Sequence, residues 1–219
     1  MTLRERWRVV LELAGVAAID IADRFGLLFV SEVPFLFAYA WLVMRLRGAR
    51  WRNAGLVRPP SWPVALAAGA AAGVGMELLA VYVTEPTVAR MTGRLPELSD
   101  FRPLVGNLKL TLLLLVPVAV LSALEEMFYR GFLMNRVADL TGRTRAGWML
   151  SLIVVTTFFG WAHQETQGIA GFLQESLSGL LLGLTYLAAG RTLAIPVIAH
   201  IASNVLAFIL IYLGRYPGV

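Results

Sequence analysis

Two adjacent carboxylates, Glu125 and Glu126, close a long apolar run from Leu108 to Leu124, and Arg130 follows one helical turn later. A charge at or near bilayer depth costs at least ~3 kcal/mol on insertion scales, so such a pair marks a candidate functional site. Helical geometry separates the two acids. Glu126 and Arg130 stand at i,i+4 with the acid N-terminal, the favourable order for an ion pair. Glu125 lies about a hundred degrees round the helix and has no basic partner one turn away. The spacing predicts one neutralised, structural carboxylate and one left free for chemistry. The alternative is that both acids pair with basic groups on neighbouring helices and do no chemistry.

The chain has only two histidines, His163 and His200, and both fall in or at the edge of apolar runs. They sit in Phe159-Gly-Trp-Ala-His163 and in His200-Ile-Ala-Ser-Asn204. His200 and Asn204, at i,i+4, present donors from one helix face. A lone membrane histidine commonly makes a helix-packing hydrogen bond. Here both share the membrane with a carboxylate pair, and convergent titratable groups define a candidate site.

The elements that must hold these groups are long apolar helices. The 219 residues are 58% hydrophobic, with a mean hydropathy of +0.71. This predicts an all-α polytopic membrane protein with six to seven spans; the period-2 patterning of a barrel is absent. Without cysteine, disulfides, thiol catalysis and thiolate metal sites are excluded. The net charge of +5 resides in arginines clustered between apolar runs, where the positive-inside rule puts them, so nucleic acid is not an expected partner. Arg4, Arg6 and Arg8 precede an apolar stretch that Glu12 interrupts, so this start is read as retained rather than as a cleaved signal.

In order along the chain, residues 4–24 carry a polar stripe of Arg4, Arg8, Glu12, Asp20 and Asp23, to lie on the membrane surface or to span with the stripe facing other helices. Phe25 to Met44 is apolar apart from Glu32 and Pro34, and the basic block Arg45 to Arg58 is assigned to the cytoplasm. Trp62 to Val83 is long enough to span; its Gly69 and Gly73 offer a close-packing face, and Glu77 is either near the site or near water. Residues 84–106 read as a non-cytoplasmic loop. Leu108 to Arg136 is the central helix, residues 139–145 a basic cytoplasmic loop, and Gln164 to Gly168 a polar break before Ile169 to Ala189. That returning run holds a second close-packing pair, Gly179 and Gly183, and Leu193 to Leu213 forms the last span. His163 is eighteen residues from Arg145, or ~27 Å at 1.5 Å per residue, so a helix start nearer Met149, or a tilt, is expected.

Glu-Glu-x-x-x-Arg at 125–130, Phe-x-x-x-His at 159–163 and His-x-x-x-Asn at 200–204, in that order on successive apolar segments, resemble the CPBP family. This is the CAAX protease and bacteriocin-processing, or Abi, family, which includes the type II CAAX prenyl endopeptidases. The resemblance divides the chain into variable N-terminal membrane helices and loops, residues 1–104, and a four-helix catalytic core, residues 105–214. It implies an intramembrane endopeptidase. Carried over by position, Glu125 and His163 would activate a water, His200 and Asn204 would donate to the oxyanion, and Glu126, Arg130 and Phe159 would support them. A carboxylate in low dielectric is a competent base, and preset donors can supply ~3–4 kcal/mol each in a dry site. The family has also been described as metalloproteases, and Glu125, His163 and His200 match the His₂Glu donor set of catalytic zinc. The preferred reading needs no cofactor, because Asn204 suits an oxyanion pair and is a poor zinc ligand.

Expected partners are membrane lipid and a hydrophobic or lipidated peptide, a prenylated C-terminus being the class the eukaryotic members suggest. Eighteen arginines against one lysine point to a GC-rich prokaryote and hence to a multi-pass protein of its inner membrane. Two rival readings remain: a proton-coupled transporter using Glu125, Glu126, His163 and His200 as a relay, and a non-catalytic bacteriocin-immunity protein of the same fold. His163-Gln-Glu165-Thr-Gln167 is only a near miss to His-Glu-x-x-His, and Ser178 lacks the context of a serine nucleophile.

Overall fold

The computed structural model describes all 219 residues, as six helices with short 3₁₀ connections and no strand. Their bounds are α1 Leu3–Arg24, α2 Val33–Leu46, α3 Trp62–Thr92, α4 Leu108–Leu140, α5 Arg145–Ala188 and α6 Ala194–Tyr212. Helices α3, α4, α5 and α6 are long and apolar enough to cross a membrane, and α2 is a shorter apolar helix. The chain is thus an integral, polytopic, all-α membrane protein. Side-chain caps start the long helices: Ser61 for α3, Asn107 for α4 and Thr144 for α5 each accept a backbone N–H of the first turn.

Helix α5 is two helices. Gly168, at φ 71 and ψ −167, reverses the chain there. The limbs then run antiparallel. Gly160 packs on Phe172 and Ser176, Phe159 lies on Gly179, and Leu152 lies on Gly183. Glycine at 179 and 183 is what permits this approach, as a Cβ at either would meet the opposing side chain. The polar stretch from Gln164 to Gln167, expected to be a break, is instead the last turn of the first limb.

Two further expectations are corrected. Residues 84–106 are not all loop: α3 continues to Thr92 and ends at Gly93, φ 76. Pro86 does not stop it, because a π-turn over Ala80–Thr84 takes up the hydrogen bond and clearance that a proline denies an α-helix. The late start near Met149 is not observed either. Helix α5 begins at Arg145 because Thr144 caps it, and its first turns pack on the end of α4, where Ser151 donates to the Met134 carbonyl at 2.5 Å.

Helices α1 and α2 form an antiparallel hairpin. Tyr39 donates to the Glu12 carbonyl at 3.0 Å, and Arg47 meets the Glu12 carboxylate at 2.6 Å. The acidic part of the α1 stripe faces the protein, with Glu12 and Asp20 buried, while Arg4 and Arg8 stay exposed and Val10, Leu11 and Ile21 face outward. Glu12 also lies 4.0 Å from Arg136 of α4, and Asp20 accepts from Trp161 Nε1 at 3.3 Å. The larger hydrophobic core joins Val16, Leu36 and Ala40 of this hairpin to Phe128, Phe132 and Phe159.

Helix α6 lies between α3 and α4. Its contact with α3 is made through Gly69 and Gly73, which rest on Ile198 and Ala199; a Cβ on Gly73 would run into the Ala199 carbonyl and the Ala202 methyl. Gly73→Val is expected to cost about 1–3 kcal/mol by overpacking. The check is a lower thermal midpoint in detergent, with Gly75→Val, where a Cβ meets open space, unchanged.

Candidate active site

The site is built where α4, the first limb of α5 and α6 meet. Just after Glu126, α4 loosens into a π-turn, Met127–Leu133. Such turns are over-represented at functional sites because they re-aim side chains. Just beyond it, Asn135 Nδ2 donates to the carbonyls of Arg130 and Gly131 at 3.1 and 2.9 Å and lies 3.0 Å from the Tyr186 hydroxyl. This network fixes the turn to the second limb of α5.

The two glutamates separate as their spacing predicts. Glu126 is 0% exposed and Arg130 is 0% exposed, and Arg130 Nη1 donates to Glu126 Oε1 at 2.7 Å. Arg130 Nη2 donates to the Gly179 carbonyl at 2.8 Å, and the guanidinium lies over the Phe159 ring at 5.0 Å. Glu125 points the other way. Its side chain is 15% exposed, and it lines a cavity of 230 Å³.

All four residues expected to do chemistry line that cavity: Glu125, His163, His200 and Asn204. His163 Nδ1 lies 2.8 Å from the Phe159 carbonyl. A carbonyl only accepts, so Nδ1 carries the hydrogen, and in the neutral ring Nε2 keeps its lone pair. His200 Nδ1 lies 2.9 Å from Glu126 Oε1, and its Nε2 lies 3.8 Å from Glu125 Oε2. His200 thus bridges the sealed carboxylate and the cavity carboxylate. Phe159 separates the imidazoles, its ring 4.8 Å from that of His163 and 6.1 Å from that of His200.

Several participants carry no local signature. Glu126 was expected only to pair with Arg130, yet the same oxygen also holds His200, 74 residues away. Asn204 Nδ2 donates to Ser122 Oγ at 2.8 Å, one turn before Glu125 on α4, which leaves its second N–H free. Gln167, Glu175 and Tyr216 also line the cavity. Glu77 is close to the site: it accepts from Ser203 at 2.6 Å and lines a polar 70 Å³ cavity behind His200 and Asn204. The periodic signal for Ser122 is its place on the Glu125–Glu126 side of α4, and Glu77 is marked by its charge within an apolar run; Gln167, Glu175 and Tyr216 have none in the sequence.

The donor set of a zinc site, Glu125, His163 and His200, does not fit one ion in this arrangement. No three acidic or imidazole side chains come close enough to share one. Two ligand bonds of ~2.1 Å at a tetrahedral metal put their donors about 3.4 Å apart. The 3.8 Å between His200 Nε2 and Glu125 Oε2 is wider.

The fold and the site define a class: a polytopic helical membrane protein with a carboxylate, two imidazoles and an amide around a cavity within its bundle. Residues 107–206 match the family model described as type II CAAX prenyl endopeptidase Rce1-like. This is the CAAX protease family that the three motifs resemble, and the matched segment contains all of them. No curated protein and no solved structure matches the chain.

Proposed function

We propose that this chain is an intramembrane endopeptidase that hydrolyses a peptide bond of a membrane-associated protein, using Glu125 as its base. What supports this reading is the convergence of Glu125, His163, His200 and Asn204 on one cavity, within the segment that matches a protease family. Glu125 and the Nε2 lone pair of His163 hold a water and take its proton as it attacks the scissile carbonyl. His200 Nε2–H and the free Asn204 N–H donate to the oxyanion that develops. For that, His200 must be doubly protonated, and the Glu126 carboxylate at 2.9 Å steadies that form. With Glu125 ionised, the group Glu125, Glu126, Arg130 and His200 then sums to zero charge, which is the arrangement a low-dielectric site tolerates. Collapse of the intermediate returns the proton to the leaving amine. No step requires a metal.

The apolar side of the cavity, with Phe101, Leu121, Phe208 and Ile211, suits a hydrophobic or lipidated peptide, and a prenylated CAAX-type C-terminus is the substrate class that the matched family suggests. Within this proposal, residues 105–214 are the catalytic core, and the protein works in a prokaryotic inner membrane.

The test is cleavage of a quenched hydrophobic peptide, with and without a farnesylated C-terminus, by the purified protein. Wild type is expected to cleave it and His163→Ala to lose about 10²–10⁴-fold in turnover. A strong chelator is expected to leave the wild-type rate unchanged. Inactivation by chelator, restored by zinc alone, would overturn the metal-free mechanism. No cleavage, with a substrate-dependent proton flux lost in His163→Ala, would favour the relay transporter.

A further inference from the structure

At the opposite end of α5 from Gly168, three basic loops far apart in sequence come together. Arg52 from the α2–α3 connection, Arg143 from the α4–α5 loop and Arg191 from the α5–α6 loop line one cavity of 270 Å³ with Asn53, Asn135 and Thr192. No carboxylate lines it. Neither Arg52 nor Arg191 has an acid within ion-pair reach. Arg143 is held by Asp139 through Nε at 2.7 Å and by Asn135 through Nη2 at 3.1 Å. The cavity therefore concentrates two uncompensated positive charges and a third that is partly neutralised.

The loops are fixed in place rather than splayed by repulsion. Arg143 and Arg191 adopt φ of 56 and 67, a left-handed conformation that glycine or asparagine fills more easily. Both guanidiniums lie over the Trp148 ring, at 5.6 and 5.0 Å. Leu193 N donates to the Gly55 carbonyl at 2.9 Å, tying the Arg191 loop to that of Arg52, and Tyr186 donates to the Ala54 carbonyl at 3.3 Å. Like charges held together by a rigid frame and an aromatic platform are preorganised for an anion.

We propose that this cavity binds a phosphate anion, either the headgroup of an anionic phospholipid or a free phosphate. Guanidinium forks match phosphate oxygens in geometry and charge. The basic loops are the ones the positive-inside rule assigns to the cytoplasmic surface, where anionic lipid is met. The site is independent of the peptidase reading and lies outside the 230 Å³ cavity. It shares Asn135 with the π-turn that carries Arg130, so an occupant would also brace that turn.

The test uses the full chain in detergent micelles, titrated with inorganic phosphate, with phosphatidylglycerol or with diacylglycerol, and read by calorimetry. Saturable binding is expected in a phosphate arm and none with diacylglycerol. Inorganic phosphate as tight as phosphatidylglycerol assigns a free anion; phosphatidylglycerol alone assigns a headgroup. Arg191→Gln and Arg52→Gln are each expected to weaken binding about tenfold. Arg52 is exposed, so its replacement leaves the fold intact even if the Arg191 variant is destabilised. Arg4→Gln and Arg6→Gln, exposed and outside the cavity lining, are expected to change nothing. No saturable binding of either phosphate ligand, diacylglycerol binding as tightly, or equal losses from the Arg4 and Arg6 variants would overturn the proposal.

Discussion

Glu125→Ala is expected to abolish detectable peptide cleavage, lowering turnover by about 10²–10⁴-fold with little change in KM. The argument rests on what Glu125 lacks. It accepts no hydrogen bond from an arginine, it borders the cavity, and its nearest charged neighbour is His200 Nε2 at 3.8 Å. A purely structural carboxylate would be sealed, as Glu126 is. Because Glu125 keeps 15% exposure, truncation leaves space that water fills, and the thermal midpoint should fall only slightly. Glu125→Gln keeps the shape and removes the base, so it should be equally inactive. Wild-type turnover in either variant would end the proposal that this side chain activates the water.

The second large effect falls on stability. Arg130→Met is expected to destabilise the protein by about 3–5 kcal/mol, because it removes one of the two cations that balance Glu125 and Glu126 and leaves the site with a net buried negative charge. It also strands the Gly179 carbonyl, which accepts from Arg130 at 2.8 Å, and removes one of the ties between α4 and the second limb of α5. Glu126→Leu combined with Arg130→Met should recover much of that stability, since an apolar pair of similar volume replaces a buried ion pair at little cost. Activity should not recover, because His200 Nδ1 has lost the oxygen that orients it. Denaturant or thermal unfolding in detergent separates the two variants, and peptide cleavage supplies the second readout. An active double variant would show that Glu126 does not position His200.

Those two results probe the part of the site that was legible in the sequence. The i,i+4 spacing of Glu126 and Arg130 and the angular offset of Glu125 are properties of a single helix, so they survive into three dimensions unchanged. The same holds for the glycine pairs at 69/73 and 179/183, whose spacing announces a close face without naming its partner. The basic loops were legible as charge, but their convergence was not. What the chain order hides is whatever passes between helices. Ser122 holding Asn204, Glu126 holding His200, and Gln167, Glu175 and Tyr216 on the cavity wall depend on how helices pack, which local periodicity does not encode. Helix continuity was misjudged in two places for a local reason. Pro86 and the polar residues 164–167 read as interruptions, yet a π-turn absorbs the first and the second simply ends a limb at Gly168.

Helix α1 turns its acids inward and its aliphatic side chains outward, an inside-out amphipathic element. It is made before the last four helices, yet part of what it docks on comes from them. Within α1, Glu12 meets Arg8 at 3.6 Å and Asp20 meets Arg24 at 3.2 Å, but the partners that bury these acids come later: Arg47, then Arg136, then Trp161, which lies 141 residues beyond Asp20. Helix α1 must therefore wait at the bilayer rim, with Arg24 ready to reach the Trp161 carbonyl, and complete its docking only after the first limb of α5 has been inserted.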